Sequence, residues 1–221
     1  MLVSHSHKFI FFKTIKTAST SIEVFFEPYC TDQPSDYRDG EEFIDEHISN
    51  VGIVGARRAF GADDRPTFFN HQSASEIARL LPNEFANYFK FTCVRNPFDM
   101  LISKFWWDHQ NVEIPESEAL SAFRSWVLEQ TNNFNTDIYL IEGQCAVDYF
   151  IRFESLKADV ECVATKLGID SDIENLGMFK SKVRKTITNL VTTSDYYDEA
   201  TYQHVRKLFA WEIENFGYEI D

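Results

Sequence analysis

The feature that most constrains this chain is the stretch FIFFKTIKTASTSIEVFFEP at residues 9–28. Consecutive apolar residues leave no polar face, so Lys8 to Phe12 reads as a short strand covered on both sides. A polar run, Lys13 to Ser19, follows it. Ile22, Val24, Phe25 and Phe26 then predict a helix over 20–27, which Pro28 ends. Small residues between a buried strand and a helix let the backbone close around an anion, and the first N–H groups of the helix point at it. Lys16 adds mobile positive charge, and the hydroxyls of Ser19, Thr20 and Ser21 add donors. The run is not a G-x-x-x-x-G-K-[ST] loop, because it contains no glycine. A capped helix with a solvated lysine fits the same residues.

The strand–turn–helix pattern recurs at YFKFTCVRNPFDMLISKFWW. Tyr88 to Val94 reads as a strand. Asn96 suits a cap and Pro97 a first helical position, so a helix is expected over 97–108. Arg95 stands at the junction and Ser103 on the helix. Arginine can hold a phosphate bidentately, with the serine completing the contact. Alternatively, Arg95 pairs with a carboxylate and Ser103 faces solvent.

Elsewhere, a short strand is expected within 48–54, and another over 67–70 that ends at His71. Ser73 or Ser75 then caps a helix through Leu81, with Glu76 in its first turn. A helix over 116–129, a strand over 148–153 and a helix over 154–167 stopped by Gly168 follow. Residues 177–195 read as a basic, Ser/Thr-rich loop. A closing helix over 198–216 stops at Gly217. Strands alternating with helices predict an α/β fold: a central parallel sheet flanked by helices in three layers. Ligands bind such sheets beyond the carboxyl ends of the strands. The length of 221 residues suits a single domain over 1–221.

Charge limits the partners. Lys+Arg 21 against Asp+Glu 35 leaves a net −14. A general basic surface for nucleic acid is not expected, since phosphate neutralisation needs clustered Lys and Arg. A strongly polyanionic acceptor is disfavoured too. Against that background, Lys180, Lys182, Arg184 and Lys185 form a local basic concentration, which also suits a merely solvated loop. No apolar run is long enough to span a membrane. The first residues lack a signal-peptide pattern, so a cytoplasmic location is expected. Cys30, Cys93, Cys145 and Cys162 lie far apart without a CxxC pair, which favours reduced thiols and gives a metal no ligand spacing.

The chain resembles the sulfotransferases that use 3′-phosphoadenosine 5′-phosphosulfate (PAPS), in particular the carbohydrate enzymes of the heparan and uronyl 2-O type. KTASTS, Lys16 to Ser21, is similar to their 5′-phosphosulfate loop. Arg95 and Ser103 match their 3′-phosphate motif. SKVRKTITN is similar to their late cofactor-clamping loop, with Arg184, Lys185 and Thr186 in its middle. YFIRFESLKADVECVATKLGI and FAWEIENFGYEI resemble the last elements of the family. Residues 29–66 and 110–145 carry no such likeness. Two departures stand out: Ile15 where relatives usually carry Pro, and Met100 where many carry a basic residue.

The resemblance implies a P-loop-like fold and in-line sulfuryl transfer from PAPS to an acceptor hydroxyl of a carbohydrate or small molecule, leaving 3′-phosphoadenosine 5′-phosphate (PAP) and needing no metal. It implies that Lys16, Thr17, Ala18, Ser19, Thr20 and Ser21 cradle the 5′-phosphosulfate, with Lys16 stabilising the leaving oxygen. Arg95 and Ser103 would hold the 3′-phosphate, and Arg184, Lys185 and Thr186 would close over the nucleotide. His71 falls where the carbohydrate enzymes place a histidine base, and imidazole suits proton abstraction near neutrality. A cap on the helix near Ser73 is the plainer role for the same residue. His109 is a weaker candidate, and His5, His7, His47 and His204 are expected on the surface. Phe105, Trp106 and Trp107 could line an acceptor cleft, though aromatics at helical spacing are more often core. Two rival readings stand beside this one: a non-catalytic PAP-binding scaffold, and a nucleotide kinase. The kinase would need an Asp after a hydrophobic strand, where this chain has Asn70 and Arg95. The oligomeric state is left open.

Overall fold

In the computed structural model, residues 1–33, 45–57, 60–61, 63–170, 176 and 192–220 are described. They sort into two compact units, Met1–Val94 with Asn135–Phe179, and Arg95–Phe134 with Lys180–Asp221.

The first unit carries the strands β1 (Leu2–Ser4), β2 (Phe9–Phe12), β3 (His47–Ile48), β4 (Gly52–Val54), β5 (Phe89–Val94), β6 (Leu140–Ile141), β7 (Gln144–Cys145) and β8 (Tyr149–Arg152). Six of them form one sheet in the order β3-β4-β1-β2-β5-β8, while β6 and β7 make a separate hairpin. β2 pairs with β5 in parallel, Phe12 opposite Thr92. β5 pairs with β8 in parallel, Val94 opposite Arg152. The sheet is thus parallel over β2-β5-β8, as the alternation of strand and helix predicts. Its other edge is antiparallel, because β1 folds back on β2 and pairs with β4. β1 is only three residues long, too short to show periodicity, and a tight turn with Lys8 at φ 52 returns the chain to β2. Gly52 makes the β1–β4 approach possible: a Cβ there would stand 2.0 Å from the Val3 carbonyl oxygen.

Helices are numbered along the whole chain. The first unit holds α1 (Ser19–Phe26), α2 (Ala74–Leu80), α3 (Pro82–Asn87), α6 (Thr136–Tyr139) and α7 (Leu156–Lys166). The first unit's core lies where α1 and α7 cover the sheet. Phe91 on β5 sits 5.6 Å from the Phe9 ring, 5.2 Å from Phe11 and 5.1 Å from Phe26. Ile22, Cys93, Ile151, Val160 and Val163 complete it, all buried. Ser73 caps α2, accepting from the Glu76 N–H at 3.3 Å, with Glu76 in the first turn as expected. The strand expected over 67–70 shrinks to one parallel bridge between Ala56 and Phe69. There the carboxylate of Glu46 takes the N–H groups of Thr67 and Phe68 at 2.9 and 2.8 Å, so these donors are not available to a ladder. The strand expected within 48–54 is a hairpin of two, β3 and β4.

The second unit is helical: α4 (Pro97–Asp108), α5 (Glu116–Glu129), α8 (Glu199–Leu208) and α9 (Ala210–Phe216). The first two keep the bounds that periodicity gives. Asn96 caps α4 by accepting from Phe98 N–H at 3.1 Å, and Pro97 takes the first position. The closing helix expected over 198–216 is broken at Phe209, whose backbone turns to φ −111. Phe209 is buried and its ring meets Phe134 at 6.0 Å, so the break falls at a core aromatic. Asp198 and Thr201 form a reciprocal capping box at the start of α8.

Candidate functional site

The connection from β2 to α1 forms a loop without glycine by placing Lys16 and Ala18 in the left-handed region, at φ 61 and 63. This conformation is costly for side chains with a Cβ, so the loop must be held from outside. The holding groups are visible. Thr14 Oγ1 donates to the Cys93 carbonyl at 2.6 Å, so the 2.8 Å contact between the two threonine hydroxyls is donated by Thr17. The Cys93 thiol donates to the Thr17 carbonyl at 2.8 Å. Asn135 brackets Ile15, accepting its N–H at 2.7 Å and donating to its carbonyl at 3.1 Å. The first of these bonds exists only because position 15 is not proline, which has no N–H.

The loop offers its backbone outward. Among the described residues, the N–H groups of Thr17, Ala18, Ser19 and Thr20 meet no protein acceptor. Such a set at a helix start suits the oxygens of a phosphate or sulfate. The Ser19 hydroxyl donates to the Thr14 carbonyl, and Ser21 is buried. From Lys16 to Ser21, the partly open residues are Lys16, Ala18 and Thr20.

Beneath the loop lies a buried ion group. Lys13 Nζ contacts Glu23 Oε2 at 2.6 Å, and Arg57 Nε reaches the same oxygen at 3.0 Å. Arg57 also pairs with Glu27, and the Met1 amine stands 3.4 Å from Glu23 Oε1. Burial alone would raise the Glu23 carboxyl, but Lys13 and Arg57 overcome it and hold the group at about 2. A carboxylate buried this fully is stable only with such partners.

His71 sits against this joint. Its Nδ1 lies 2.9 Å from the Lys13 carbonyl oxygen. A carbonyl only accepts, so Nδ1 carries the proton and Nε2 keeps its lone pair. The residue adopts φ 62, which turns the chain sharply before α2. The residue is exposed overall, while the Nδ1 edge is enclosed by the loop. Desolvation of that edge and the Lys13 charge push the imidazole down to about 4. The helix cap itself is Ser73, so the capping role considered for His71 is taken by another residue.

Arg95 and Ser103 lie in the helical unit, before and on α4. Arg95 Nε donates to Asp99 Oδ2 at 2.7 Å, a pairing within the first turn of that helix. Ser103 is half-buried. Met100 is packed into the helical core, as are Phe105 and Trp106. His109 closes α4, its Nδ1 donating to the Phe105 carbonyl at 2.8 Å. His5, His7, His47 and His204 are half-buried, not superficial. They hydrogen-bond Tyr88, the Leu167 carbonyl, Asp32 and the Gln130 carbonyl respectively. Arg184, Lys185 and Thr186 lie outside the described residues. None of Cys30, Cys93, Cys145 and Cys162 forms a disulfide among the described residues. Among the described residues, no helix is long and apolar enough to cross a membrane, and no cluster of three or more His, Cys, Asp or Glu could hold a metal ion.

Sequence reading missed Lys13, Glu23, Arg57 and Asn135. A lysine directly after FIFF and a glutamate among the apolar positions of α1 were the available signals. Asn135 falls in a segment with no recognisable pattern.

Comparison with known proteins gives one finding. The family profile described as the sulfotransferase family matches residues 1–219. Searches of curated proteins and of solved structures return no match. With a match over nearly the whole chain, and an anion-suited loop leading into α1, this protein belongs to the sulfotransferase family.

Proposed function

We propose that the protein transfers the sulfuryl group of PAPS to the hydroxyl of a carbohydrate or small-molecule acceptor. One observation carries the reading: His71, with a free Nε2 lone pair, is hydrogen-bonded at 2.9 Å to the base of a loop in which the N–H groups of Thr17, Ala18, Ser19 and Thr20 meet no acceptor among the described residues. That pairs a general base with an anion cradle, the two things sulfuryl transfer needs. PAPS, as donor substrate, supplies an activated sulfur and a phosphate leaving group.

The residues divide the work. Backbone N–H groups of Thr17 to Thr20 bind the 5′-phosphosulfate oxygens, with Ser21 completing the first turn behind them. Lys16 places its ammonium on the bridging oxygen. His71 Nε2 accepts the acceptor hydroxyl proton as its oxygen forms the new bond to sulfur. The bond from sulfur to the bridging oxygen breaks, and its electron pair stays on the phosphate, where Lys16 offsets the charge. Arg95 and Ser103 read the 3′-phosphate, for which Arg95 must turn from Asp99 or share it. Arg184 and Lys185 supply further positive charge to the nucleotide, and Thr186 a hydroxyl donor. Phe69 and Gln72 flank His71 in the chain and line an open groove with Arg65 and Arg79, which we assign to the acceptor. We take the two units as parts of one sulfotransferase domain working in a cytoplasmic setting, without metal.

Calorimetric titration with PAP, with ADP as comparison and no metal present, tests this. Tight binding of PAP over ADP is expected. Equal or absent binding overturns the 3′-phosphate assignment and moves the kinase reading forward. A scaffold that binds PAP would instead show no transfer of label from PAPS to any acceptor.

A further inference from the structure

Lys13 and Glu23 belong to no motif that the sequence singles out, yet both converge on His71. The Lys13 carbonyl takes the Nδ1–H of His71 at 2.9 Å, and its ammonium is tied to Glu23 at 2.6 Å. Glu23 lies on α1, one turn beyond the loop, so the pair links strand, loop, helix and imidazole in one joint. We propose that Lys13 and Glu23 are positioning residues for His71: the ion pair fixes the carbonyl that selects the Nδ1–H tautomer, and it sets opposed charges beside the ring. The proposal rests on the reading of His71 as the base.

The joint has a consequence that breaking an ion pair alone does not. The charged groups around His71 are Lys13 from the loop, the Met1 amine from the start of β1 and Glu23 from α1. Arg57 stands behind Glu23 at 3.0 Å. Lys13 and the amine disfavour the imidazolium, whereas Glu23 favours it. Removing Lys13 must therefore ease protonation of His71, and removing Glu23 must oppose it. A merely structural pair would give both variants the same defect.

The test is an NMR titration of the His71 imidazole in the full chain, without donor or acceptor, for wild type, Lys13→Met, Glu23→Gln and the double variant. Nitrogen shifts are expected to show the Nδ1–H tautomer in wild type. Lys13→Met is expected to raise the midpoint by about one pH unit and Glu23→Gln to lower it, the range nearby charges produce. The double variant leaves Arg57 with Glu27 as partner and covers the case in which Glu23→Gln does not fold. Its midpoint must then fall below that of Lys13→Met. Midpoints that move together or not at all, or an Nε2–H tautomer in wild type, overturn the proposal. Because no donor is present, failure of the sulfotransferase reading leaves these titrations unchanged, whereas PAP calorimetry reports on that reading alone.

Discussion

His71 Nδ1 stands 2.9 Å from the carbonyl oxygen of Lys13, 58 residues earlier in the chain. That hydrogen bond decides which imidazole nitrogen is available for chemistry. His71→Asn keeps a residue tolerant of the left-handed backbone at φ 62 and removes the base. Turnover is expected to fall by about 10²- to 10⁴-fold, with PAP affinity retained. Steady-state kinetics with labelled PAPS, beside calorimetry, check this. A parallel loss of PAP affinity would show that His71 contacts the donor instead.

Lys16 is expected to act on the leaving oxygen. Lys16→Ala should lower turnover by about 10²- to 10³-fold, the usual loss when one charge-stabilising group is removed. The PAPS KM should change far less. A loss confined to KM would make Lys16 a binding residue only.

Arg95→Ala should bring the affinities for PAP and adenosine 5′-monophosphate together. The arginine is assigned to the 3′-phosphate that only PAP carries. Unchanged discrimination would mean that Arg95 serves the protein's own structure, through pairings such as that with Asp99 at 2.7 Å, and not the 3′-phosphate.

Acid should destabilise the protein in two overlapping windows. His71 is held below its ordinary 6.5, at about 4, so the unfolded chain takes up that proton first. The stability tied to neutral His71 is complete above 6.5 and declines as pH falls toward 4. Glu23 is held below its ordinary 4.5, at about 2, so its contribution declines from 4.5 toward 2. Thermal melts across pH 7 to 3 should show Tm falling through the range from 6.5 to 4, and His71→Asn should remove the part of that fall below 6, since the Met1 amine, pushed down to about 6 by burial, loses its own contribution between 8 and 6. A Tm flat down to pH 4.5 in wild type would contradict the His71 shift.

The left-handed Ala18, at φ 63, makes a prediction about the loop itself. Ala18→Gly should leave stability nearly unchanged or improved, whereas Ala18→Val should cost about 1–3 kcal/mol, since β-branched side chains fit this region poorly. Chemical denaturation of the two variants measures the difference.

The local pattern of the chain determined a good deal. FIFF and FKFTCV, apolar and flanked by cap and turn residues, specified β2 and β5. Asn96-Pro97 and the helical spacing that follows specified α4 to its last residue. The loop from Lys16 to Ser21 was legible too, because strand, small residues and helix are contiguous. Tertiary structure alone decided the rest. β1 exists because β2 and β4 flank it, and three residues carry no period of their own. The closing helix breaks at the buried Phe209, where the local pattern runs on without a stop signal. Most telling is the joint around Lys13. Glu23, Arg57, His71 and Asn135 are brought to one loop from separate elements, and neither the buried charge balance nor the histidine tautomer is encoded in any local run. Hydrogen bonds and ion pairs between distant residues depend on distances that only the folded chain sets.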